Sequence, residues 1–240
     1  MKNKYLGIYQ DLAEKIEQGT YKPNEKLPSE NELVEEYNVS RETIRKALNI
    51  LAQNGYIQKI RGKGSVVLEI GKFDFPITGL VSFKEIANKI GKESSTTVHE
   101  LSIVEPDQYL MNQLQVKESA EIWKVVRVRK IDKERIILDK DYFNKKYVPT
   151  LTKQVCEDSI YEYLEGTLGI QISFAKKEFF VEKATEEDRE LLDLKEFDSV
   201  VVVKNYVYLN DASLMEYTES RHRPDKFRFV DFARRQHGLQ

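Results

Sequence analysis

The chain has 240 residues, 40% hydrophobic and 32% charged, with a net charge of −2. That much apolar material builds a packed core and excludes a disordered chain. The longest aliphatic run, Val200–Val203, is far short of the ~20 apolar residues of a membrane span, and the single cysteine, Cys156, excludes an internal disulfide or a cysteine-rich zinc site. No apolar stretch follows Met1-Lys2-Asn3-Lys4, so no secretory signal is expected and the chain is expected in the cytoplasm.

Tyr5, Ile8, Leu12 and Ile16 recur at helical spacing, and Gly19 stops that helix. After Pro23 and Pro28, Ser29-Glu30-Asn31-Glu32 reads as a capping box that opens a second short helix with Leu33, Val34 and Tyr37 buried. Only Asn38 and Val39 separate it from a third helix, capped by Ser40 and striped with Ile44, Ala47, Leu48 and Leu51, which ends at Asn54-Gly55. Tyr56–Ile60 and Ser65–Leu68 read as strands joined through Arg61-Gly62-Lys63-Gly64, whose glycines suit a tight hairpin.

A linker is expected at 70–79, between a first domain over 1–69 and a second over 80–240. In the second, Phe83, Ile86 and Ile90 mark a helix stopped by Gly91. Ile122–Ile131 and Arg135–Phe143 read as strands around Asp132-Lys133-Glu134. Ser159–Gly166 and Thr185–Leu194 read as helices, and Ser199–Leu209 and Leu214–Arg223 as strands around Asn210-Asp211. This mixture predicts an α+β fold on a largely antiparallel sheet.

Charge is distributed unevenly. Residues 1–40 carry a net −3, whereas residues 41–64 carry Arg41, Arg45, Lys46, Lys59, Arg61 and Lys63 against Glu42 alone. Such an island is either a solvated face or a footprint for phosphates. With Ile44, Ala47, Leu48 and Leu51 turned inward, Glu42, Arg45, Lys46 and Asn49 face outward, flanked by Arg41. Arginine in a first helical turn opposes the helix dipole, which favours an anion docking there. In a helix-turn-helix that position reaches base edges, and arginine forks match guanine.

Leu27-Pro28-Ser29-Glu30, Ser40 through Leu48, Gly55-Tyr56-Ile57 and Arg61-Gly62-Lys63-Gly64-Ser65 resemble the winged helix-turn-helix of GntR-type bacterial transcription regulators. The resemblance implies that Arg41 and Arg45 read the operator, that Ser40 and Thr43 contact phosphate or base, and that Gly62 is the wing tip. Lys46, Arg61 and Lys63 join them as candidate DNA contacts. Many relatives have a further DNA-touching arginine where this chain has Asn31.

In the second domain, alternation places Trp123, Val125, Arg127, Arg129 and Ile131 on one face. Two guanidinium groups ~7 Å apart along a strand need an anion or carboxylates between them. The residues alone leave two states open: pairing with Asp139 and Asp141, or phosphate capture helped by the helix-capping Ser159. Gly79 through Phe83, Arg127 and Arg129, Leu138-Asp139, Ser159 through Tyr161, and Glu216 through Phe229 resemble the HutC subgroup, whose UTRA effector domain has a chorismate-lyase-like fold. That resemblance implies phosphate held by Ser82, Arg127, Arg129 and Ser159, with sugar hydroxyls donating to Asp139 and Glu216. Phe83 and His222, the latter at a common tyrosine position, complete the candidate pocket.

Over its whole length the chain is similar to trehalose operon repressors of Gram-positive bacteria, which implies trehalose 6-phosphate as effector; an amino-sugar phosphate is the alternative. No cofactor or metal is expected. A lyase-like enzyme is the less favoured reading, because His99, His222 and His237 show no nucleophile or metal spacing and a shared fold does not carry activity. One helix-turn-helix offers little surface for specific affinity, so a homodimer on a roughly palindromic site is expected.

Overall fold

The computed structural model describes residues 4–60, 62–69, 75–76, 83–85, 93–227 and 229–230. The chain divides into two units, Met1–Thr78 with Phe229–Gln240, and Gly79–Arg228.

The first unit holds α1 (Lys4–Glu17), α2 (Glu30–Tyr37), α3 (Arg41–Gln53) and a hairpin of β1 (Ile57–Ile60) with β2 (Gly64–Val67). Its core gathers the predicted stripes: Ile8, Leu12 and Ile16 from α1, Leu33 from α2, and Ile44, Ala47, Leu48 and Leu51 from α3. The Ser29 capping box forms as expected, and Asn38 turns the chain between α2 and α3 in a left-handed conformation, φ 48°. The hairpin is fastened to the segment before α2, with Leu27 N–H donating to Ser65 C=O at 2.9 Å and Val67 N–H to Glu25 C=O at 2.8 Å. A short β3 (Phe75–Pro76) pairs in parallel with β10 (Phe229–Val230), which brings the late chain back to this unit.

The second unit is built on six antiparallel strands: β4 (Ser94–Val104), β5 (Ile122–Ile131), β6 (Glu134–Asn144), β7 (Ile172–Lys183), β8 (Ser199–Leu209) and β9 (Leu214–His222). Their spatial order is β4-β5-β6-β9-β8-β7. The 132–133 turn that joins β5 to β6 uses two residues with positive φ. One sheet face packs Val125, Phe143 and Val207 against Cys156, Ile160 and Leu164, from α5 (Lys153–Glu157), α6 (Ile160–Glu162) and the π-helical turn Tyr163–Thr167. The opposite face packs Val126, Val128, Leu138 and Val202 beneath Leu192 and Leu194, beside α7 (Glu186–Leu191), and Ile122 and Tyr217 beneath α4 (Gln108–Leu114).

Two helices differ from expectation. The Ser159–Gly166 helix is three residues of α-helix followed by the wider π turn. The Thr185–Leu194 helix stops at Leu191, because Leu192 turns extended and Leu192 and Leu194 both enter the core. Residues 83–85 are helical; the rest of the expected helix to Gly91 lies outside the described residues, as does most of the expected linker.

Candidate nucleic-acid interface and anion pocket

The outward surface of α3 and the tip of the β1–β2 hairpin carry the first constellation. Ser40 caps α3 by accepting from Thr43 N–H at 3.3 Å, and the two hydroxyls lie 2.9 Å apart. Arg41 Nη2 donates to Asn31 Oδ1 at 2.7 Å, and Arg45 Nε donates to Glu30 Oε2 at 2.8 Å. The first turn of α2 therefore holds both arginines of α3. Lys46 pairs with Glu42 one turn away at 2.9 Å, and Lys59 donates to Asn49 at 2.9 Å. At the hairpin tip Gly62 has φ 77° and Gly64 φ 91°, values that an L side chain resists, with exposed Lys63 between them. Arg61 lies outside the described residues. Exposed cations on a capped helix, next to a basic turn, can meet a polyanion without first losing a buried partner.

The second constellation is a buried polar patch inside the apolar face of the sheet. Arg127 stands opposite Asp139 in the register and Arg129 opposite Ile137. Each arginine reaches diagonally instead: Arg127 Nε and Nη2 donate to Asp141 Oδ2 at 2.8 and 2.7 Å, and Arg129 Nε donates to Asp139 Oδ2 at 2.8 Å. A two-residue diagonal offset across a strand pair is within reach of long side chains. Arg127 Nη1 also donates to Cys156 C=O at 3.3 Å, Arg129 Nη1 donates to Thr96 Oγ1 at 2.7 Å, and the Phe83 ring lies 4.9 Å from the Arg129 guanidinium.

From β9, Glu216, Thr218 and Ser220 point to the same face. Ser220 donates to Asp139 at 2.7 Å and Thr218 to Glu216 at 2.9 Å, while Tyr161 donates to the other oxygen of Glu216 at 2.9 Å. Ser159 is buried and accepts from Glu162 N–H, and His222 is buried with its ring 4.9 Å from that of Phe227. Ser82 lies outside the described residues. Of the predicted pocket residues, Phe83 and Asp139 both contact Arg129, and Arg127 and Glu216 are joined through Asp141 and the Thr218 hydroxyl, which lies 2.9 Å from Glu216 and 3.2 Å from Asp141. Thr218 and Ser220 were readable from strand alternation after Glu216. Thr96 was not, because it enters from an edge strand with little hydrophobic pattern.

Burial sets the protonation of this patch. Burial, aided by the charge of Asp141, pushes Glu216 up to about 8, so its carboxyl is mostly protonated at neutral pH. Burial raises Asp141 as well, whereas at Asp139 the two arginines more than offset burial and hold the carboxylate ionised. Burial lowers His222 to about 4, which keeps its imidazole neutral, and raises Cys156 to about 11. The patch thus holds two guanidinium ions, carboxylates that can exchange them for another anion, and hydroxyls for a polyhydroxylated ligand. Among the described residues no group of three or more His, Cys, Asp or Glu is placed to hold a metal ion, and no helix is long and apolar enough to cross a membrane.

Residues 4–67 match the bacterial regulatory proteins, gntR family, and residues 89–228 match the UTRA domain. The chain is 61% identical over 233 residues to the HTH-type transcriptional regulator TreR of Bacillus subtilis (strain 168), covering 97% of this chain and 98% of that one. It is 29% identical over 231 residues to the mannosyl-D-glycerate transport/metabolism system repressor MngR of Escherichia coli (strain K12), covering 96% of each. Among solved structures, the possible transcriptional regulator YydK of Bacillus subtilis superposes with a TM-score of 0.80 at 25% identity, covering 96% of this chain and 99% of that one. The effector binding domain of the B. subtilis trehalose repressor gives 0.56 at 59% identity, covering 60% of this chain and 99% of its own.

Proposed function

We propose a sugar-responsive repressor's function for this chain, which belongs to the gntR family of bacterial regulatory proteins and carries a UTRA domain. It closes the operator of a trehalose-utilisation operon and leaves it when trehalose 6-phosphate fills the pocket of the second unit. The likeness to the 59% identical effector domain of the B. subtilis trehalose repressor supports the choice of operon. The observation that carries the ligand class is the buried arginine pair beside hydroxyls and a protonated carboxyl. Two forks suit one phosphate group, and the polar groups of β9 suit sugar hydroxyls.

On the DNA side, Arg41 and Arg45 read base edges in the major groove. Ser40, Thr43 and Lys46 support them, and Arg61, Gly62 and Lys63 form the wing against the backbone or minor groove. Two copies act together on a roughly palindromic site. On the ligand side, phosphate takes Arg127 and Arg129 from Asp141 and Asp139, joined by Ser82 and Ser159. Phe83 and His222 line the site, and Asp139 and Glu216 meet the sugar.

A ligand shifts a conformational equilibrium only by its difference in affinity between states, and this exchange of partners supplies one. Strand β9 carries Glu216, then His222, and continues through buried Arg223, clamped by Glu134 and Asp225, to β10 in the first unit. The chain itself thereby links the pocket to the DNA-binding unit.

The experiment is a thermal-shift series with phosphorylated sugars, followed by operator binding with each hit. Ligand at 100 times its Kd stabilises by about 2.7 kcal/mol. Trehalose 6-phosphate is expected to give the largest shift and to release the operator. A larger response to an amino-sugar phosphate replaces the sugar assignment, and no response to any phosphosugar rejects the pocket.

A further inference from the structure

We infer that Asn31, in the first turn of α2, is the positioning residue for Arg41: its amide oxygen holds the guanidinium in the orientation that reads DNA. The inference rests on the reading of α3 as the base-contacting helix. Arg41 is the first residue of α3, where the helix dipole repels its charge. The one acid in that turn, Glu42, is engaged by Lys46 at 2.9 Å. The hydrogen bond that fixes Arg41 comes instead from across the turn, Nη2 to Asn31 Oδ1 at 2.7 Å, ten residues back in sequence.

The chemistry of that acceptor matters. Arg45 is held by the carboxylate of Glu30, which offsets its charge, whereas Asn31 is neutral and leaves the full charge on Arg41. The bond uses one of the two Nη2 hydrogens, and neither Nε nor Nη1 makes a hydrogen bond among the described residues, so the two-donor edge turned away from Asn31 (Nε with Nη2, or Nη1 with Nη2) stays open. A guanidinium fixed at one corner, charged, and open along an edge is arranged for a bidentate acceptor such as the N7 and O6 of guanine. Holding the side chain in advance spares the ordering cost that a free arginine meets on binding, about two- to ten-fold in affinity per half-site.

The test uses the full-length protein and a duplex enriched by the wild-type chain from a random pool, with random duplex as reference. Asn31→Ala is expected to lose about two- to ten-fold on the enriched duplex and little on random DNA, with an unchanged salt slope. In an Arg41→Ala background the same change is expected to have no further effect, because the two act as a unit. Asn31→Asp keeps the acceptor and adds a negative charge. It is expected to retain base preference at the Arg41 position while weakening both duplexes. Equal losses for Asn31→Ala on enriched and random DNA, additive with Arg41→Ala and with a shallower salt slope, would make Asn31 a phosphate contact in its own right and overturn the inference. If Arg41→Ala itself leaves the enriched-to-random ratio unchanged, the base-reading assignment of α3 falls, and this inference with it.

Discussion

Each unit carries two arginines on one face of a single element, and the two pairs are held in opposite ways. Arg41 and Arg45 are four apart on a helix and exposed, 59% of the Arg45 side chain being accessible; they are tethered by a neighbouring helix turn. Arg127 and Arg129 are two apart on a strand, with side chains 6% and 7% accessible, and each has its own aspartate. An exposed pair trades water and counterions for its ligand, so its binding is salt-dependent and its loss hardly touches folding. A buried pair trades one carboxylate for another anion, so the same groups carry stability and response together.

The largest expected effect breaks the buried pair. Arg127→Ala leaves Asp139 and Asp141 buried without that charge and is expected to cost about 3–5 kcal/mol of folding stability. The double change Arg127→Met with Asp141→Leu removes both charges and is expected to return near wild-type stability. That folded double variant is expected to bind operator and to ignore the phosphosugar. Arg45→Ala, by contrast, is expected to shift stability by less than about 1 kcal/mol. Urea unfolding of the three variants measures the contrast; equal costs for Arg127→Ala and Arg45→Ala would erase it.

The second effect concerns protons. Glu216 is pushed from 4.5 to about 8 by burial and by Asp141, so between those values the folded state holds a proton that the unfolded state has lost. Its contribution to stability is therefore lost as pH rises, by up to ~1.4 kcal/mol per pH unit. His222, lowered from 6.5 to about 4 by burial, acts in the other direction, and its contribution is gained as pH rises toward 6.5. Between pH 6.5 and 8 the His222 effect has ended, and the raised carboxyls, Glu216 with its neighbour Asp141, set the slope. Stability is expected to fall across that window, and Glu216→Gln is expected to flatten it. Phosphosugar affinity is expected to weaken over the same range, because an ionised Glu216 repels the incoming phosphate. A Glu216→Gln variant that keeps the wild-type slope would place the proton elsewhere.

The two units also differed in how openly their sequences declared them. In the first, the Ser29 capping box, the Ser40 cap and three helical stripes are local signals, and the three helices and the β1–β2 hairpin appeared within a residue or two of their expected places, whereas the β3–β10 pair was not anticipated. In the second, the interior strands β5, β6, β8 and β9 were anticipated, while the two edge strands β4 and β7 were not. Strand β4 opens with Ser94-Ser95-Thr96-Thr97, and β7 leaves Phe174, Phe179, Phe180 and Val181 exposed, so neither shows the pattern of a buried strand. Helices α4 and α5, seven and five residues long, were too short for periodicity to reveal.

The pocket divides similarly. Arg127, Arg129, Asp139 and Asp141 follow from alternation within two strands. Their choice of diagonal partners, the bond from Arg129 to Thr96, and the grip of Asn31 on Arg41 arise only once distant segments meet.

The smallest effects lie on the exposed face, and their differences from one another are informative. Arg41→Ala is expected to cost about 1–3 kcal/mol per half-site and to relax preference at one base pair, since a bidentate arginine discriminates by that amount. Lys63, at the exposed tip between two left-handed glycines, has no fork and no side-chain partner among the described residues. It can offer only a point charge to phosphate, so Lys63→Ala is expected to weaken operator and random DNA alike. The loss of one phosphate contact lowers the slope of log affinity against log salt by about one unit, so the variant and wild-type curves converge at high salt. Titrations from low to high salt on both duplexes separate the two roles. A sequence-dependent loss at Lys63 with an unchanged salt slope would make the hairpin tip a base reader and shift part of the recognition away from α3.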